Sequence, residues 1–181
     1  MRPHAPLPLL LLCAACAAPP AAAPWTDCFD GRSLASWEVT DFGGQGPVAV
    51  QGGSLELGFG SPLTGVTFTG TPPAGSYELE VCAARLEGRD FFCGLTFPVR
   101  DGHLTLVLGG WGGSLVGLSS LDGTRKVDAD LRGRELGLRP EVLLSRPLGI
   151  ASFTTRAAIH SVRWRPLGTA DASGSSHDRT R

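Results

Sequence analysis

A carboxylate beside a cation is the smallest kit for moving a proton at a neutral substrate, and this sequence offers that pairing twice. Arg89 and Asp90 open the apolar run "FFCGLTFPV", and Arg139 and Glu141 flank a proline in "LRPEVLLSRP". Asp90 is a candidate general base or sugar ligand; Glu141 is a candidate base with Arg139 as its cationic partner. His103, in the turn-like "RDGHL", is a further candidate acid or base, histidine being the residue type most often used for proton transfer. Trp111 stands in Gly-Gly-Trp-Gly-Gly, where no flanking side chain crowds the ring, as a stacking platform for a sugar requires. Glu78 and Glu80 share one face of an alternating segment and are candidates to line the same groove. Each also has a plainer reading: a solvated turn pair, a surface ion pair worth little, a turn histidine, a tryptophan plugging the core, and glutamates solvated at a sheet edge. The histidines are scattered, and no CxxC occurs beyond the N-terminal segment, so the spacing of a metal site is absent.

The elements that must position these residues are read from periodicity. "SYELEVCAARL" sets Tyr77, Leu79, Val81 and Ala83 against Glu78, Glu80 and Cys82, a period of two that predicts a half-buried strand. "FFCGLTFPV" is expected to follow as its hairpin partner, then "HLTLVL", "SLVGLSS", "LGIASF" and "AIHSVRWRPL", with "GSLELG" and "TGVTFTG" earlier. No stretch has the period of an amphipathic helix. The 25 glycines and 14 prolines punctuate the chain about every ten residues, the rhythm of an antiparallel sandwich. Alternation places Leu79, Val81, Leu95, Phe97, Leu106, Ile150 and Val162 in the core.

The 181 residues leave room for an export signal and one domain, and a formal net charge of −1 gives no reason to expect a nucleic-acid or anionic-membrane partner. Arg2 and His4 precede an apolar run and a Pro/Ala stretch reaching Pro24, the layout of a signal peptide and too short for a membrane span. "LCAAC", ending at Cys16, resembles a bacterial lipobox, so a membrane association is expected only through a lipid anchor on that cysteine. The expected organisation is residues 1–24 as signal and linker, 25–167 as the domain, and 168–181, nearly free of apolar residues, as a disordered tail. The domain would then work as a secreted or cell-envelope protein. In an oxidising compartment the odd number of cysteines in the domain (Cys28, Cys82 and Cys93) asks for an explanation. Cys82 and Cys93 flank an expected turn at Glu87-Gly88 and are either a cross-strand pair or two half-buried thiols.

Three motifs in order resemble the 3-keto-disaccharide hydrolase family. "CFDGRSLASWEV" is similar to its "LFDGKSLDGW" opening, "RPLGIASFTTRAAIHSVRWRPL" to its last two strands, and "DFFCGLTFPV" through "GGWGGSLVGLSS" to an exported subgroup. The resemblance covers nearly all of residues 28–167 and implies an all-β, concanavalin-like jelly-roll sandwich whose concave face holds carbohydrate. Two departures stand out. "LSSLDG" passes directly to "TRKVDADLRGREL", where the family has a further loop and strand pair, as though neighbouring strands were excised near Gly123. Ala151 stands where the family's penultimate strand carries glutamine.

The activity so implied is cleavage of glycosides oxidised to a ketone at C3. The ketone acidifies the C2 proton; a base removes it, the C1–O bond breaks by β-elimination, and water adds to the product. That chemistry asks for a base, a positive centre for the enolate (an arginine or a divalent metal) and an acid for the leaving oxygen. In that setting Asp90 or Glu141 would serve as base and Arg139 as enolate partner. The alternative expectation is a non-catalytic carbohydrate-binding or envelope interaction module, favoured by the shortened middle and by Ala151.

Overall fold

The computed structural model describes residues 22–119 and 144–168. The N-terminal segment expected to direct export, with Cys16, the junction near Gly123, the Arg139/Glu141 pair and the residues from 169 onward lie outside them.

The chain begins with a pinned turn. Asp30 Oδ1 accepts hydrogen bonds from the backbone N–H groups of Arg32 and Ser33, both at 2.8 Å, and Gly31 takes the left-handed φ of 70° that the turn needs. These bonds favour the carboxylate and hold Asp30 below its ordinary pKa. Trp37 closes the motif: its Nε1 donates to the Cys28 carbonyl at 2.8 Å, and its ring meets Phe68 at 5.1 Å. "FDGRSLASW" is thus a structural entry to the fold.

The strands are β1 (Thr26–Asp27), β2 (Trp37–Val39), β3 (Val48–Gln51), β4 (Ser54–Leu57), β5 (Leu63–Phe68), β6 (Tyr77–Gly88), β7 (Cys93–Val99), β8 (Gly102–Gly109), β9 (Leu115–Ser119), β10 (Gly149–Phe153) and β11 (Thr155–Pro166). They form two antiparallel sheets, an all-β, jelly-roll-like sandwich. One sheet has the order β2-β5-β10-β7-β8-β9. The other is built around β11, which pairs with β6 along its length and, on its opposite side, with β4 and then β1; β3 completes that sheet beyond β4. β9 ends one sheet, and β6 has no second strand partner among the described residues.

Alternation decides what lies between the sheets. Leu55, Leu57, Ile159 and Val162 from one sheet meet Val66, Phe68, Leu95 and Ile150 from the other, all buried. Leu79, Val81, Phe97 and Leu106 pack against them, half-buried. The predicted core is therefore the observed one. The opposite face of the six-stranded sheet carries a second apolar cluster, Leu63, Phe91, Val107 and Ala151, with Phe42 and Phe153 against it. Its polar members satisfy one another: Thr40 with Thr67 at 2.8 Å, and Thr96 with Thr105 at 2.9 Å.

One expectation is overturned. β7 is not the hairpin partner of β6. β6 pairs with β11, whereas β7 pairs with β10 and β8, so the chain crosses between sheets at Gly88–Phe92. Gly88 makes the crossing possible: its φ is 110°, and a Cβ there would run into the Thr155 backbone. The consequence for Cys82 and Cys93 follows directly. Cys82 is exposed on the outer face of one sheet, Cys93 is buried between the two, and both are free thiols, as is Cys28.

Candidate functional site

The reversal from β8 to β9 has an unusual backbone. Gly109, Trp111, Gly112 and Gly113 have φ of 75°, 49°, 80° and 95°, a run in the left-handed region that glycine fills without strain and tryptophan does not. The turn is stapled from the other sheet by Arg85, near the end of β6. Its Nη2 donates to the carbonyls of Gly109 and Gly113, each at 3.2 Å, and its guanidinium lies 5.2 Å from the Phe92 ring centroid. A Cβ at Gly109 or Gly113 would meet that guanidinium, so the glycines that free the Trp111 ring also admit the staple. Trp111 itself remains 43% exposed, which decides against its plugging the sandwich.

Asp90 belongs to the same end of the molecule. It sits in the crossing between β6 and β7, two residues before Phe92, whose N–H donates to the Leu108 carbonyl at 3.2 Å. The Asp90 carboxylate is half-buried; Oδ1 accepts from the Phe91 N–H at 2.7 Å, and the Asp90 N–H donates to Thr155 Oγ1 at 3.2 Å. Oδ2 has no protein partner among the described residues. The fold thus brings together Arg85, Phe92 and the Trp111 turn, with Asp90 two residues before Phe92 in the crossing.

It separates the others. His103 lies at the far end of β8, opposite Pro98 next to the β7–β8 hairpin tip. Glu78 and Glu80 project from the outer face of the five-stranded sheet, away from the Trp111 turn. There Arg165 Nε donates to Glu78 Oε2 at 2.7 Å and Arg163 Nε to Glu80 Oε1 at 2.8 Å. Both guanidinium groups also lie over the Trp25 ring, at 4.6 and 4.7 Å from its centroid. The structure does not bring these glutamates to a groove with Trp111: alternation gives them a common face, but it is the outer face of β6, whereas Arg85 on the inner row of the same strand reaches the turn. Arg139 and Glu141 fall outside the described residues.

The chain matches no family model, no curated protein and no solved structure. What the site can do must therefore be read from its own groups. Among the described residues no three His, Cys, Asp or Glu side chains gather as a metal site, and no helix is long and apolar enough to cross a membrane. Ala151 is fully buried between Gly65 and Gly94 on the neighbouring strands, beneath the second apolar cluster. At that position the small side chain completes packing and presents no polar atom. Sequence reading missed Arg85 and Phe92. The signal for Arg85 was slight: a lone cation on the otherwise apolar inner row of "YELEVCAARL".

Proposed function

We propose that this protein is an exported carbohydrate-binding domain whose sugar contact is the Trp111 turn. The observation that carries the reading is an exposed indole held on a left-handed backbone by a guanidinium from the opposite sheet. A turn whose backbone is fixed in advance lowers the freedom that its exposed ring loses on stacking against a pyranose, which is where preorganisation gains affinity. At the same end Asp90 Oδ2, which has no protein partner among the described residues, supplies an acceptor for a sugar hydroxyl. The measurement is retention on immobilised glycans by the full chain and by Trp111→Ala. Loss of retention in the variant, with an unchanged far-ultraviolet spectrum, is the expected result; equal retention removes the tryptophan from the site.

A second reading rests on Asp90, in the crossing at the same end of the sandwich. A carboxylate with one uncommitted oxygen, at the end that also holds the aromatic platform, suits removal of the C2 proton from a 3-keto-glycoside. The C2–H electron pair becomes the C1–C2 double bond, the C1–O bond breaks, the departing oxygen takes a proton, and water then adds across the double bond. Turnover of a 3-keto-glucoside but not of its parent glucoside, reduced about 100-fold or more in Asp90→Asn, is the outcome expected of this chemistry. Sugar binding without such turnover leaves the binding domain alone.

A further inference from the structure

The opposite end of the sandwich holds a cleft that the sugar-binding reading does not use. It opens between the start of β6 and the β7–β8 hairpin, with a volume of about 590 Å³, and its walls are mainly apolar: Tyr77, Leu79, Leu95, Phe97, Leu106 and Leu167. Leu95 forms a buried floor, while Leu79, Phe97 and Leu106 are half-buried and pack against the core at its edge. The volume lies within the range of sites that enclose small molecules. The Tyr77 hydroxyl is already committed, donating to the Pro98 carbonyl and tying the two sheets together across the cleft.

The lip supplies the polarity. Arg100, at the hairpin tip, lines the cleft and makes no ion pair or hydrogen bond among the described residues. It holds a φ of 53°, a conformation that glycine or asparagine would adopt with less strain, so the tip presents a cation where a neutral turn residue fits better. Two carboxylates neighbour Arg100: exposed Asp101, the next residue at the same tip, which makes no ion pair with it among the described residues, and Glu78, which faces the outside of its sheet and is paired with Arg165. Exposed Ser76 adds a hydroxyl at the rim. A hydrocarbon slot with a guanidinium at its mouth that has no partner among the described residues is complementary to one class of molecule: an apolar tail ending in an anionic head.

We propose that this cleft binds a single-chain aliphatic carboxylate, its chain along Leu79, Phe97 and Leu106 and its carboxylate on Arg100. The site is independent of Trp111. The test titrates the full chain with decanoate, and separately with decanol, by calorimetry below the concentrations at which either aggregates. One decanoate per chain is expected, with decanol bound about tenfold more weakly for want of the charge. Arg100→Ala should erase the preference for the acid and leave decanol binding unchanged, whereas Arg100→Lys should restore part of it. Ser76→Trp, a rim substitution that leaves the core alone, should block both ligands. Absence of binding overturns the proposal, and so does equal affinity for acid and alcohol. Binding untouched by Ser76→Trp assigns the ligand to another apolar surface. A chain that sediments as a dimer and binds neither ligand shows that a second copy occupies the cleft.

Discussion

Trp111 is held against its own backbone preference, and that separates its effect on stability from the sugar contact proposed for it. A non-glycine residue in the left-handed region costs roughly 1 kcal/mol or more, partly offset on replacement by the greater unfolded-state freedom of glycine. Trp111→Gly should therefore leave the melting temperature unchanged or slightly higher while abolishing glycan retention, a combination that a packing tryptophan would never give. A fall of several degrees in thermal denaturation would mean that the ring supports the fold. Arg85 tests the same turn from behind. Its planar fork reaches two carbonyls 3.2 Å away and still lies over Phe92, which a lysine ammonium cannot do. Arg85→Lys is expected to weaken glycan retention severalfold with the indole still present, because the platform is no longer fixed; unchanged affinity would show that the turn holds its shape unaided.

At the scale of elements, β6 shows what alternation determines and what it leaves open. Its inner row and its outer row were legible from "YELEVCAARL", as were the residue type of every strand from β4 to β11, because burial on one face imposes a period of two. Which sheet each strand joins was not legible. Pairing of neighbours is the default for adjacent strands, and only the tight approach of Gly88 to Thr155, a contact 67 residues apart in sequence, marks the crossing. The candidate residues were affected accordingly: Trp111 and Asp90 were singled out separately, Arg85 was not, and the face shared by Glu78 and Glu80 lies on the outside of its sheet and not in a groove with Trp111. Their observed partners give the element-scale prediction. Exposed cross-strand ion pairs contribute about 0–1 kcal/mol, so Glu80→Ala should shift stability by less than that and leave glycan retention intact. Ile159→Ala, in the buried row of the adjoining strand, should cost about 2–5 kcal/mol. Urea denaturation of the two variants decides; a Glu80 variant that loses sugar binding would return the outer face of β6 to the site.

The whole molecule has a core that contains acids. Burial pushes the Cys28 thiol up to about 11, with the nearby Asp27 charge adding to the effect, and burial alone pushes Cys93 to about 12 and Tyr77 to about 12. Their ordinary values are 9.0 for the thiols and 10.0 for the phenol. The folded state therefore keeps protons that the unfolded chain releases first. The sign follows: between these values the native state binds more protons than the unfolded state, so stability falls as pH rises. The stabilisation is fully present below about pH 9 and is lost progressively toward pH 11 to 12. Because Cys93 lies between the sheets and Cys28 beneath Trp37, ionising either puts a charge into the one core that both sheets share, and the loss should be cooperative across the molecule. Thermal melts from pH 7 to pH 11 should show a plateau followed by a steepening decline beginning near pH 9. Cys93→Ala should start lower, having lost core volume, and then decline less steeply, since one of the groups that drives the slope is gone. A melting temperature flat through pH 10.5 in the parent chain, or an identical slope in the variant, would mean that these thiols do not titrate from the buried environment described.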